Sequence, residues 1–279
     1  MANHAKHAAP RRKRNRGQGS GTLKNGLILL VCILCIGAGL WLWKEAMSIG
    51  VSRTEDIEDN FRPEVGDPPY RVAIDAGHGG SDPGAQGIVH EAQMNAQTAE
   101  ALVAWLEADP NYIPLSTRDS YDVTAKPSER AAYVNALAPQ LLLSIHGNSA
   151  PEGSEAAGFE CYPSVPGRTW HRESFYFAER LAEGMQAAGA HLRGKGGIRY
   201  IYYEGENKRI VESNHTEVRE DRSFTILEDV DCPTVLAEQC FVTSESDVAQ
   251  FGDEAGCKRV ARIYYEAICA YFDTQLLPE

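Results

Sequence analysis

The sequence predicts a three-layer α/β domain with a mostly parallel sheet flanked by helices, and three observations carry that expectation. Runs of β-forming residues alternate with segments of helical periodicity from Arg71 to Phe272. Two of the runs, Leu141–Ile145 and Thr234–Ala237, are almost continuously apolar, as strands covered on both faces are. A third, Arg71–Asp75, passes directly into the glycine-rich loop Gly77-His-Gly-Gly80. Alternation of this kind builds a parallel sheet with helical crossovers, and chemistry then collects beyond the carboxyl ends of the strands.

After that first strand and loop, Met94, Thr98, Ala101, Leu102 and Trp105 recur at helical spacing within Glu91–Leu106, and Asp109-Pro110 ends the pattern. Tyr112–Thr117 reads as the second strand. Pro127 opens a helix running to Ala138, and the Leu141–Ile145 strand ends at His146. Gly158–Tyr162 is a further strand candidate, and Trp170–Ala188 is helical. Thr234–Ala237 is a buried strand ending at Glu238, and Lys258–Phe272 is a closing amphipathic helix. No internal repeat interrupts this stretch, so residues 70–275 are expected to form one catalytic domain.

The N-terminal part is different in kind. Residues 1–44 contain eight basic and no acidic side chains, leaving nineteen basic residues against all 39 acidic ones in the remainder. Residues 1–24 form a basic tail and residues 25–43 an apolar segment ending Trp41-Leu-Trp43, long enough to span the hydrocarbon of a bilayer. By the positive-inside rule the tail is cytoplasmic and everything after it is exported, which makes the segment a single-pass anchor. Cleavage near Ala46-Met47-Ser48, with release to the wall, is the alternative. Residues 44–69 are acidic and contain prolines, as a linker does. The acidic balance excludes nucleic acid as an expected partner. Outside the apolar segment, Cys161, Cys232, Cys240, Cys257 and Cys269 form no C-x-x-C pair and read mostly as small core residues.

Three strand ends deliver His78, His146 and Glu238 to one sheet edge, and Glu91 lies in the first turn of the helix following the His78 loop. Two imidazoles and a carboxylate suit a catalytic zinc ion, which takes three protein ligands and leaves a position for water. The fourth residue then remains as a base. Other chemistries fail on the same segments. A dinucleotide loop would need glycine where Asp82 stands, no Walker lysine follows, and Gly147-Asn-Ser149-Ala-Pro151 lacks the closing glycine of a serine-hydrolase elbow. Cys240 has no basic neighbour in sequence to activate it as a nucleophile.

Asp75-Ala-Gly-His-Gly-Gly-Ser-Asp-Pro-Gly-Ala85, Glu91, Ser144-Ile-His-Gly-Asn148 and Pro233-Thr-Val-Leu-Ala-Glu238 followed by Phe241 together resemble the zinc-dependent N-acetylmuramoyl-L-alanine amidases, in the same order and over about residues 70–272. The resemblance implies one zinc ion held by His78, Glu91 and His146, with Glu238 as the catalytic base. It also implies peptidoglycan as substrate, cut at the amide between the lactyl group of N-acetylmuramic acid and the L-alanine of the stem peptide. A zinc peptidase of another wall bond and a catalytically silent or regulated peptidoglycan-binding protein are the competing functions. An activator protein and substrate-binding residues are not identified by the sequence.

The chain departs from the family pattern at Gly147, where alanine is usual, at Cys240, where glycine is usual, and near Ser244, where asparagine is. Arg199 to Arg222 is longer than the connection expected there and reads as a surface hairpin. The alternative is an insertion that stacks on sugar or docks a regulator. His90, His171, His191 and His215 are expected on the surface, with His90 the one placed to support a ligand.

Overall fold

The computed structural model describes residues 61–205 and 207–278. The expected tail, membrane segment and most of the linker (1–60) lie outside the described residues; within these, no helix is long and apolar enough to cross a membrane.

The chain forms β1 (Tyr70–Ala76), α1 (Glu91–Ala108), β2 (Tyr112–Ser116), α2 (Pro127–Asn135) and β3 (Leu141–Asn148). It continues through β4 (Glu160–Pro163), α3 (His171–Ala187), β5 (Arg199–Glu204), β6 (Asn207–Glu212) and α4 (Thr225–Asp229). It ends with β7 (Thr234–Phe241), two helical turns over Glu245–Asp247 and Val248–Gly252, and α5 (Glu254–Phe272). The main sheet has the order β2-β1-β3-β7-β4. All its pairings are parallel except that of edge strand β4, which runs antiparallel to β7.

Because side chains alternate across a strand, each central strand divides its residues between two layers. Val72, Ile74, Leu141, Leu143, Ile145, Val235 and Ala237 pack under α1, α3 and α5 in the larger core. Ala73, Leu142 and Leu236 point the other way, toward Ala131 and Val134 of α2 and Ile226 and Leu227 of α4. The three-layer expectation holds, and so does the expectation that the five cysteines are core residues: all are buried and free.

Two strand ends are corrected. β3 runs past His146 to Asn148 and β7 runs past Glu238 to Phe241, so both residues lie inside paired strands. The apolar runs marked where the sheet is covered on both faces, and the ladder continues beyond them. The Gly158–Tyr162 strand is shifted to Glu160–Pro163. The predicted Pro127–Ala138 helix is capped at Ala136, and Ala138 has a left-handed φ of 47°. Arg199–Arg222 does contain a hairpin, β5–β6, but Tyr200 and Tyr202 are buried, so only part of it is surface.

Candidate metal centre

The alternation that sends Leu142 and Leu236 toward α2 and α4 sends Asp75, Ser144, His146 and Glu238 to that same face. Asp75 is fully buried and collects Thr117 Oγ1 at 2.6 Å, Ser144 Oγ at 2.7 Å and the guanidinium of Arg130. Burial opposes its charge, yet Arg130 and the two hydroxyls hold its carboxyl below the ordinary carboxylate range. Arg118, 3.8 Å from Asp75, donates to the carbonyls of Ala76 and His78 and so clamps the loop leaving β1. Asn95 of α1 holds the same loop by donating to Gly77 O at 3.1 Å.

Within this clamp His78 adopts φ 62°, a conformation costly for a residue with a side chain. Its imidazole lands beside that of His146, ring centres 5.0 Å apart. The close approach explains Gly77: a methyl there would stand 2.2 Å from the His146 ring. Glu91 is the first residue of α1, as predicted, and Oε1 lies 3.1 Å from His78 Nε2 and 3.0 Å from His146 Nδ1. Its carboxylate also accepts from the amides of Ala85 at 2.7 Å and Gly147 at 3.1 Å. His78 turns its other nitrogen, Nδ1, to Asp82 at 2.8 Å.

These contacts set the charges. Burial disfavours ionised Glu91, but His146 and His78 outweigh it and hold the carboxyl far below its usual range. Burial likewise pulls the His78 pKa down, but Glu91 and Asp82 raise it to about 9. One ligand atom from each of His78, Glu91 and His146 lies within 4.8 Å of the others. Ligands sharing a tetrahedral zinc at about 2.0–2.1 Å are about 3.3 Å apart, close to the Glu91–histidine separations. Asp82 on the far nitrogen of His78 is the carboxylate–histidine arrangement that orients a metal-bound imidazole. The donor set and its spacing therefore fit a zinc ion.

Glu238 lies beside this trio, directly across from His146 in the β3–β7 register. It is half-buried, and its Oε2 is buried without a hydrogen-bond partner. Burial, opposed by His146 and reinforced by Glu91, pushes its pKa up to about 7. The four predicted residues all line one cleft of about 770 Å³, whose walls also include Lys126, Arg130, Asn148, Tyr203, Lys208 and Phe224.

Sequence reasoning missed Arg118 and Arg130. Arg130 sits on the buried face of α2 with Ala131 and Val134, and a basic residue at an apolar helical position signals a buried acid partner; Arg118 carries no such periodic mark. Among the surplus histidines, His90 is exposed and caps α1 without a side-chain bond. His191 and His215 are exposed as expected, whereas His171 is half-buried, with Nδ1 2.7 Å from Ser164 O and its ring against Tyr200. Cys240 is buried with its thiol pKa pushed up by desolvation, the opposite of an activated nucleophile.

Fold and site together define an α/β domain with a His-Glu-His centre and a free carboxyl on one sheet face. Residues 72–270 match the Amidase_3 family, N-acetylmuramoyl-L-alanine amidase, and the chain belongs to that family. YqiI of Bacillus subtilis (strain 168) is 29% identical over 208 residues, 72% of this chain and 84% of its own. AmiB of Haemophilus influenzae, named a probable N-acetylmuramoyl-L-alanine amidase, is 25% identical over 73% of this chain and 52% of its own. Among solved structures, the catalytic domain of CwlV, an amidase of the same name from Bacillus (Paenibacillus) polymyxa var. colistinus, is 27% identical with a TM-score of 0.58. That match covers 74% of this chain and 99% of CwlV's domain.

Proposed function

We propose that the protein hydrolyses the amide joining the lactyl group of N-acetylmuramic acid to L-alanine in peptidoglycan, using one zinc ion held by His78, Glu91 and His146. The observation that carries this reading is the convergence of those three donors with the unpartnered carboxyl of Glu238 in one open cleft. Family membership and the names of the relatives support the bond cleaved.

An amide needs its carbonyl polarised, a strong nucleophile near neutral pH and a proton for the departing nitrogen. Zinc, when bound, supplies a Lewis acid for the carbonyl and lowers the pKa of water from 15.7 to about 7. The protein supplies the rest. Glu238 takes the proton of the attacking water and returns it to the alanine nitrogen, and a carboxyl with a pKa near 7 favours neither direction strongly. Glu91 stays ionised on two backbone amides, and Asp82 fixes the ring of His78.

The activity calls for a domain on the wall side of the membrane, held there by residues 25–43 or released after their removal. Mass analysis of peptidoglycan treated with the protein tests the reading. Soluble peptides beginning with L-alanine are expected; a different new amino terminus indicates a peptidase, and no release indicates a binding protein.

A further inference from the structure

The segment from Arg199 to Arg222 is rich in cations, and its arginines are paired. Arg199 meets Glu160 and Glu212 at 2.8 Å each, Arg209 meets Glu204 at 2.7 Å, Arg219 meets Glu204 at 2.8 Å, and Arg222 meets Asp229 at 2.5 Å. Lys208 is the exception. It forms no direct ion pair among the described residues; its ammonium rests 5.0 Å from the centre of the Phe224 ring, and its charge acts at longer range on Glu238, favouring that carboxylate's ionised form. It stands opposite Tyr203 in the β5–β6 register, and Tyr203, Lys208 and Phe224 all line the cleft that contains Glu238.

In a chain with 39 acidic and 27 basic residues, carboxylates are plentiful, yet this lysine packs on an aromatic face and keeps its charge toward the cleft. Such a cation attracts an anion that arrives with the ligand. The substrate's chemistry says on which side that anion lies. The muramic carboxyl is consumed in the scissile amide, so the sugar is uncharged there, and the departing peptide carries the nearest carboxylate.

We propose that Lys208, seated on Phe224, binds a carboxylate of the stem peptide close to its L-alanine and thereby selects peptides in which that group is free over those in which it is amidated. The inference rests on the amidase reading and adds a specificity residue that the family motifs do not contain.

The test uses two N-acetylmuramoyl-L-alanyl dipeptides that differ only in whether the second residue carries a free carboxylate or the corresponding carboxamide. For the wild type, kcat/KM is expected to favour the carboxylate by about fivefold or more at low salt, the preference shrinking as salt screens it. Lys208→Met should bring the ratio close to one, Lys208→Arg should retain most of it, and Arg209→Met, absent from the cleft wall, should leave it as in the wild type. Equal rates for the two substrates in the wild type, or a ratio unaltered by Lys208→Met, would overturn the proposal. Binding of the same pair to Glu238→Gln, with and without Lys208→Met, separates the two readings. If neither dipeptide is cleaved by the wild type, hydrolysis fails as the function, while a Lys208-dependent difference in binding still upholds the carboxylate subsite and its absence sinks it.

Discussion

His146 and Glu238 face each other across the parallel ladder between β3 and β7, so a candidate metal ligand and the candidate base are neighbours by backbone register. Glu160 of β4 is register partner to Glu238 on its other side. Glu160 is buried but satisfied by Asn148 at 2.6 Å, Arg193 at 3.1 Å and Arg199 at 2.8 Å, whereas Glu238 has one oxygen with no partner. Two adjacent carboxylates thus have opposite roles: one is neutralised within the structure and one is left available.

Glu238→Gln should therefore retain zinc and peptidoglycan binding while cleavage falls by about 10²-fold or more, the scale of a lost general base. Zinc analysis, sedimentation with insoluble peptidoglycan and peptide release are the three measurements. Loss of zinc would make Glu238 a ligand, and near-normal release with zinc kept would remove it from the mechanism.

His78 should make zinc binding and metal-free stability depend on pH in opposite directions. In the metal-free fold His78 has a pKa raised to about 9 from 6.5, so its stabilising contribution is complete below pH 6.5 and is lost as pH rises through about 9. Zinc must displace that proton, so over the same window its affinity rises, by up to about tenfold per pH unit. Melting temperatures measured in chelator and in excess zinc between pH 6.5 and 9 should diverge as pH increases. His78→Ala and His146→Ala should each lower the zinc content sharply. A constant gap across the window, or full zinc in both variants, would show that these rings are not the ligands.

Much of the site was legible because its residues follow recognisable strand and helix signals: His78 after β1, Glu91 opening α1, His146 and Glu238 on apolar central strands. Alternation then places them on one face. What was not legible comes from contacts distant in sequence. Arg118 reaches back 40 residues to the His78 carbonyl, and Arg130 reaches 55 residues to Asp75. The ends of β3 and β7 were misplaced because polar site residues continue the ladder where the apolar pattern stops. The Arg199–Arg222 hairpin was legible only as an undivided segment, because all but two residues of β6 are exposed and no buried face imposes an apolar alternation on that strand.

Arg118→Met tests the clamp on the His78 loop. The variant keeps an unbranched stem but removes the donors to the Ala76 and His78 carbonyls. Zinc affinity should drop by about 10–100-fold, the usual effect of losing support for a ligand, together with a loss of about 1–3 kcal/mol in stability from unsatisfied buried groups. Chelator competition and denaturant unfolding measure the two. Unchanged zinc affinity would mean that α1 and Asn95 hold the loop without Arg118.

Two of the three departures from the family pattern, Gly147 and Cys240, meet at Met94. A methyl on Gly147 would stand 2.5 Å from Met94 Cε, 2.9 Å from Val242 Cγ1 and 3.4 Å from Glu91 Cγ, while Cys240 Sγ lies 3.6 Å from Met94 Sδ. A side chain at 147 and a thiol at 240 thus compete for the space around one flexible thioether. Gly147→Ala alone should cost about 1–3 kcal/mol by overpacking and, by pressing on Glu91, weaken zinc binding. Cys240→Gly alone should also destabilise, because it opens a void in the core and loosens the strand. Combined, the substitutions restore the family's pair and let Met94 move into the volume the thiol vacates. The double variant should then be more stable than the sum of the two losses allows, by at least about 0.5 kcal/mol, and should recover zinc affinity relative to Gly147→Ala. Denaturant unfolding of all four proteins provides the cycle, and additivity within about 0.3 kcal/mol would show that the two positions do not share the Met94 space.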